Sequence, residues 1–273
     1  MCRVLSVSRS GYYSWRCRPE SRRAVENRRL DVHIKAIYKK HKGRSGSPKI
    51  TEELRDEGFS VSKNRVARRM QASGLRSIVR RKFKATTDSK HPHPIAANLL
   101  QRDFTVSSPN TVWVSDITYI ATERGWQYLT VFLDLFSRMV VGWALSNSLS
   151  SDAVLIALHR AIRSRCPEVG LIIHSDRGVQ YACHDFRKLL DSYGFIQSMS
   201  RKGDCWDNAV AESFFSIIKS ELIHQERFKG HQDTLAAVFE YIEVYYNGKR
   251  KHSTLGYKTP DQFERSIKSA VCF

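Results

Sequence analysis

Apolar and polar positions follow two different periods along this chain. Between about residues 21 and 42, Leu30, Ile34, Ile37 and Tyr38 recur at helical spacing. GRSGSPK interrupts that pattern with glycines and a proline. ITEELRDEG then predicts one helix stopped by Gly58, and SVSKNRVARRMQASG a second, with Ser62 as N-cap and Gly74 as stop. Ile50 and Leu54 give the first helix an apolar pair, and Val66 and Met70 give one to the second. Residues 1–77 therefore predict a small all-α module of helix-turn-helix type, whose second helix carries Lys63, Arg65, Arg68 and Arg69. Many helical hairpins share this pattern without reading DNA.

Residues 78–110 keep no period. They are basic first, then rich in Pro, His and Ser, and predict a linker able to lie along a DNA backbone. From 111 onward β-branched and aromatic residues dominate. TVWVSDITYIA, WQYLTVFLDLFSRM and VVGWALSN predict three successive strands. SDAVLIALHRAIRS is helical, GLIIHSD a short buried strand, HDFRKLLDSYG a helix and FIQSMS a further strand. DNAVAESFFSIIKSEL predicts another helix, and one more long helix follows at about 232–246. Strands in series, then strands alternating with helices, predict an α/β domain with a mixed sheet over 111–273.

Composition narrows the class. The 273 residues are 41% apolar, enough for a sizeable core, yet no run approaches the ~20 apolar residues of a membrane span. MCRVLSVSRSGYYSW has no apolar stretch of signal-peptide length, so the expectation is a soluble cytoplasmic protein with no membrane partner. The six cysteines are scattered with no CxxC pair, which argues against a zinc ribbon and a disulfide framework. His91 and His93 have no cysteine nearby and fit a polar linker better than a metal site.

Charge is distributed unevenly. Residues 1–100 hold 25 Lys/Arg against 8 Asp/Glu, whereas 101–273 hold 20 against 19. Nearly all of the +18 net charge thus lies in the first third. That is the footprint of a nucleic-acid-binding module, since neutralised phosphates release counterions. The basic residues are spread over several short helices, which disfavours an anionic-membrane contact.

Three carboxylates carry candidate chemistry. Asp116 lies within the apolar strand WVSDITY, a costly place unless it is paired or bound to a cation. Asp176 follows the strand LII, at the carboxyl edge where α/β sheets place ligands. Glu212, 35 residues further on, opens a helix whose apolar face is Val210, Phe214, Ile217, Ile218 and Leu222. Glu212, Ser216, Lys219 and Ser220 fall on the other side, with Glu212 and Lys219 about 10 Å apart along the axis. Hard oxygen ligands suit Mg²⁺ or Mn²⁺, and two such ions can drive phosphodiester chemistry without a covalent enzyme intermediate. Taken singly, each acid is more often a cap, a turn residue or a solvated helix position.

The words around these residues are WVSDITYI, LDLFSRMVVGWAL, HSDRGVQY, SMSRKGDCWDNAVAESFFSIIKSEL and YNGKRKHSTLGYKTP. Together they resemble the catalytic frame of two-frame bacterial insertion-sequence transposases, with a retroviral-integrase-like core. The resemblance covers essentially the whole chain. It implies an RNase H-like fold for about 111–265 and makes Asp116, Asp176 and Glu212 the DDE metal ligands. Lys219 matches the family's basic residue near the scissile phosphate. The implied activity is cleavage of the element's 3′ ends and joining of the freed hydroxyl to target DNA. The family also implies a homo-oligomer on DNA, nucleoid association during action, and fusion by frameshift to an upstream frame.

SRKGDCW is then a basic loop placed to meet DNA through Arg201 and Lys202, with Trp206 either stacking or plugging the loop. Arg250, Lys251 and His252 are candidate phosphate contacts, or an exposed basic turn. HSDR (174–177) and HKGR (41–44) both fit the HxxR fragment of tyrosine recombinases, but neither lies in the required all-α context. A transposase-derived regulator without catalysis, and a nuclease that cleaves without joining, are the remaining alternatives.

Overall fold

Helices fill the first part of the computed structural model, and a mixed sheet organises the rest. The structure describes residues 2, 4–78, 94–201 and 205–271. The chain divides into two units, Met1–Ile78 and Val79–Phe273.

The first unit comprises α1 (Arg9–Arg16), α2 (Arg22–Lys40), α3 (Ser47–Asp56) and α4 (Lys63–Ala72). Helical spacing brings Leu30, Ile34 and Ile37 of α2 onto one side, where they bury against Ile50, Leu54, Val66 and Met70. Ser62 Oγ accepts the Arg65 N–H at 3.3 Å and caps α4. Gly74 closes α4 at φ +69°, a conformation that side chains with a Cβ resist. Helix α1, which hydrophobic spacing alone did not single out, buries no residue.

The second unit runs β1 (Val112–Thr122), β2 (Gly125–Asp134), β3 (Val140–Ser146), α5 (Ser151–Arg165), β4 (Ile172–Ser175), α6 (Val179–Ala182), α7 (His184–Tyr193), β5 (Ile196–Met199), α8 (Ala209–Ile218), α9 (His231–Phe239) and α10 (Pro260–Val271). The strand order is β3-β2-β1-β4-β5. Short turns make β1, β2 and β3 antiparallel, while helical crossovers make β1, β4 and β5 parallel.

Strand alternation divides the apolar residues between two faces. Val112, Val114 and Ile120 of β1 join the core built with Phe214, Ile218, Tyr241 and Ile242. Trp113 and Phe132 point the other way, onto Val154, Leu158, Phe186 and Leu190. Helix α5 approaches β3 so closely that a Cβ at Gly142 would lie 2.4 Å from the Ala157 carbonyl oxygen. Truncating a fully buried ring such as Phe214 would cost roughly 3–5 kcal/mol.

The structure revises one reading. The segment 78–110, read as a linker, is over 94–110 part of the sheet unit. Leu100 is buried in its core, and the Met199 N–H donates to the Ala97 carbonyl at 3.3 Å. Helix α8 continues through a widened π-helical turn, Lys219–Ile223, as does α9 over Glu240–Tyr246. Among the described residues, no helix is long and apolar enough to cross a membrane.

Candidate active site

Parallel pairing sets the first two carboxylates side by side. Val112 pairs with Ile172 and Val114 with His174, so Asp176, directly after the end of β4 at Ser175, comes near Asp116 of β1. In-register residues on adjacent parallel strands share a face, with strands about 4.8 Å apart. Asp116 falls on the face of Val114 and Ile120, the one that α8 covers through Phe214 and Ile218. Glu212, in the first turn of α8, lies near enough to Asp116 to act on its ionisation.

The electrostatics show the three acids within reach of one another. Burial raises the Asp116 pKa well above the usual carboxylate range, Asp176 raises it further and Glu212 adds to this. The Ile117 N–H and Lys219 oppose the rise. Burial also raises Glu212 and lowers Lys219, whose charge Asp116 in turn favours. Asp116 Oδ1 accepts the Ile117 N–H at 2.8 Å, and Asp176 Oδ1 accepts the Gly178 N–H at 2.9 Å. Among the described residues, no three His, Cys, Asp or Glu side chains already stand at metal-holding distance. An all-oxygen set of crowded carboxylates, with Asp116 and Glu212 costly to ionise in place, nevertheless fits a hard divalent cation.

Residues that sequence reasoning passed over brace this arrangement. Asp207 is fully buried and accepts from Asn98 at 2.8 Å, Arg102 at 3.2 Å and the Arg201 backbone and guanidinium. Those bonds, the Arg201 side chain foremost, hold its pKa far below the usual range. Asn208 donates through Nδ2 to the Ser115 carbonyl at 3.3 Å, tying the start of α8 to β1 beside Asp116. Its Oδ1 is buried without a hydrogen-bond partner. Asp-Asn just before an apolar helical run is a helix-start signal, and that signal could have drawn attention to both. Ser115 Oγ also meets Tyr181 Oη at 2.8 Å. His174 lies buried between Ser198 and Ser200 at 2.8 and 3.2 Å, and burial lowers its pKa to about 4, which keeps the ring neutral.

The candidate DNA contacts divide sharply. Lys63 and Arg68 are exposed on α4. Arg65 donates to Asn27 at 2.9 Å and pairs with Glu26, and Arg69 pairs with Asp31, so both bind α4 to α2. Arg201 is half-exposed while bonded to Asp207. Lys202 lies outside the described residues. Trp206 stands in the short 3₁₀ turn Cys205–Asn208.

Arg250 and His252 require correction as surface phosphate contacts, because both are buried. Arg250 donates to Glu221 at 3.0–3.1 Å, and Tyr241 Oη donates to the same carboxylate at 2.9 Å. His252 packs edge-on against Tyr246 at 4.9 Å. Basic letters in a turn-like stretch suggested the surface; a buried acid on the widened turn after α8 drew Arg250 inward instead.

Comparison with known proteins places this geometry. A family model described as "Integrase core domain" matches residues 106–205, a second of the same description matches 193–260, and an "HTH-like domain" matches 25–83. Transposase InsF of insertion sequence IS3A from Escherichia coli K12 is 41% identical over 267 residues, covering 97% of this chain and 92% of that protein. The chain belongs to the IS3-type transposase family. The 31 kDa protein of insertion element IS600 from Shigella sonnei is likewise 41% identical over 263 residues, 96% of this chain and 97% of that one. The HTLV-2 integrase catalytic core in complex with magnesium is 20% identical, with a TM-score of 0.42, over 57% of this chain and 97% of that structure. The transposase thus couples an integrase-type mixed-sheet core to a helical HTH-like unit.

Proposed function

We propose that this transposase cleaves and joins the 3′ DNA ends of its insertion sequence at Asp116, Asp176 and Glu212, with Mg²⁺ or Mn²⁺ held by these three carboxylates. The observation that carries the reading is the nearness of the three acids: Asp116 on β1 has its ionisation disfavoured by Asp176, just past the end of the neighbouring strand β4, and by Glu212 at the start of α8. Two bound ions would supply activation of the attacking oxygen and stabilisation of the leaving one. The protein's own groups set up the rest. Asn208 and Asp207 fix the helix start that carries Glu212, and Lys219 stands near Asp116 with its charge available to a phosphate oxygen.

In the first step water breaks the phosphodiester at the element end and leaves a 3′-hydroxyl. In the second, that hydroxyl attacks a target phosphodiester, one P–O bond forming as another breaks and the target's 3′-oxygen leaving. Exposed Lys63 and Arg68 of the HTH-like unit, with Arg201, support DNA as the macromolecular partner. An insertion sequence has two ends, which supports more than one copy acting together on DNA. Frameshift fusion to an upstream frame would add a further means of dimerising.

The test reseals a branched DNA that mimics a strand-transfer product, in Mg²⁺ or Mn²⁺, with wild type and Glu212→Gln. Metal-dependent joining in wild type, lowered on the order of 10²–10³-fold in the variant, is the expected outcome. Equal joining by both proteins would remove Glu212 from the site.

A further inference from the structure

Two half-exposed arginines converge on one buried oxygen at the edge of the sheet. Arg102 Nε and Arg201 Nη2 donate to Asp207 Oδ1 at 3.2 and 2.9 Å, so the two guanidiniums are neighbours. Arg201 Nε adds a bond to Asp207 Oδ2 at 3.0 Å. Asp207 is fully buried, yet the two arginine side chains keep 47% and 53% of their surface in solvent. Arg250 on Glu221, by contrast, keeps 8%. One carboxylate therefore fixes the orientation of two guanidiniums that still reach the surface.

The backbone bends to hold Arg102 there. Gln101 and Arg102 both have positive φ, +46° and +68°, a conformation uncommon for residues with a Cβ. Asn98 secures this turn: its Oδ1 accepts the Gln101 N–H at 3.0 Å, and its Nδ2 donates to Asp207 at 2.8 Å. Strain that the surroundings hold in place points to a use for the residue it presents.

Main-chain bonds tie the pair to the carboxylates. Ser175 pairs with Met199 at the ends of β4 and β5, and the Ser200 N–H donates to the Ser175 carbonyl at 2.9 Å. Asp176 follows Ser175 and Arg201 follows Ser200, so both leave the same carboxyl edge of the sheet. Arg177 Nε donates to the Ser200 carbonyl at 2.7 Å and links the two segments again. Asp207 in turn precedes Glu212 by five residues. A DNA strand with its reacting linkage at the carboxylates carries one further phosphate per nucleotide on either side. Guanidinium forks match phosphate oxygens, and forks already aligned lose little freedom on binding one.

We propose that Arg102 and Arg201, aligned by Asp207, clamp one backbone phosphate of the DNA strand flanking the reacting linkage. The proposal rests on the transposase reading and deepens it by adding Arg102 to the DNA contacts.

The experiment neutralises single phosphates. A methylphosphonate replaces, one at a time, each of the nearest linkages on either side of the junction in the branched DNA. Full-length wild type, Arg102→Ala and Arg102→Gln are compared for joining in Mg²⁺ and for binding in EDTA. In wild type one linkage should stand out, its neutralisation lowering joining and binding about tenfold. Arg102→Ala should show a similar loss on unmodified DNA and no further loss at that linkage. Arg102→Gln keeps a donor for Asp207 without the charge, and should behave as Arg102→Ala does with a melting temperature near wild type. Arg201→Ala should uncouple the same linkage. Losses that simply multiply at every linkage overturn the clamp, because Arg102 would then act only through the scaffold; joining by wild type would leave the transposase chemistry intact. Coupling in binding while wild type joins no DNA would count against that chemistry and leave the clamp standing.

Discussion

Glu212 and Glu221 stand near the two ends of one helical segment, and the fold treats them in opposite ways. Glu221 is buried to 2% exposure but receives the Arg250 guanidinium and the Tyr241 hydroxyl. Glu212 is half-buried with its pKa raised by burial, close to an Asp116 whose own ionisation is disfavoured by Asp176. The same side chain, nine residues apart, is in one place part of the scaffold and in the other part of the chemistry. The distinguishing feature is whether a resident cation answers the charge. Asp207 and Glu53 fall with Glu221; Asp116 falls with Glu212.

The most damaging way to break this contrast is to leave a scaffold acid unanswered. Arg250→Ala strands Glu221 in the core and should cost roughly 3–5 kcal/mol in urea unfolding. The double variant Glu221→Leu with Arg250→Met should recover most of that loss, because neither charge then needs a partner. A double variant as unstable as the single one would show that the pair matters for more than mutual neutralisation.

Acid titration probes the same contrast in the HTH-like unit. Glu53 receives Lys40 at 2.9 Å and lies 3.4 Å from His41. Burial raises its pKa, but these two groups outweigh that and bring it from 4.5 to about 2. A depressed folded pKa means that its stabilisation is complete above the unfolded value and is lost as pH falls from 4.5 toward 2. The loss amounts to roughly 3 kcal/mol at most. Glu53→Gln should flatten this limb of the stability–pH curve while lowering stability at neutral pH.

For Asp116 the expected sign is reversed. Asp116→Asn removes a charge that the metal-free fold disfavours, so its melting temperature in EDTA should exceed that of wild type. Adding Mg²⁺ should raise the wild-type melting temperature, the stabilisation being about 2.7 kcal/mol at a hundredfold excess over Kd, and leave the variant unmoved. Equal stabilisation of both proteins would place the cation elsewhere.

How far the sequence could be read follows from the same physics. β-branched and aromatic content announces β1, which is buried on both faces over its first half, and helical spacing announces α8, where one buried face imposes a period. An acid inside an apolar strand is visible for the cost it carries, which is why Asp116 could be picked out. Which acids are answered by cations is a matter of tertiary pairing over long separations. Arg250 and Glu221 are 29 residues apart and Asp207 and Arg102 are 105 apart, and no local pattern encodes either. The adjacency of β1 and β4 that brings Asp116 near Asp176 depends on which strands pair, and a list of elements leaves that open.

The smallest effect separates two kinds of basic residue on α4. Arg65 and Arg69 are held by Glu26, Asn27 and Asp31 of α2, whereas Lys63 and Arg68 face solvent. All four looked equivalent as letters on one short helix. If the exposed pair neutralises DNA phosphates, Lys63→Ala with Arg68→Ala should reduce the slope of log Kd against log salt by about 2, since each released contact contributes ~0.9 on duplex DNA. Their melting temperatures should stay near wild type. Arg65→Ala with Arg69→Ala removes the same formal charge and should instead lower thermal stability with a much smaller change in slope. Equal slope changes from the two pairs would mean that only net charge matters, and that the ion pairs to α2 do not decide which guanidiniums reach the DNA.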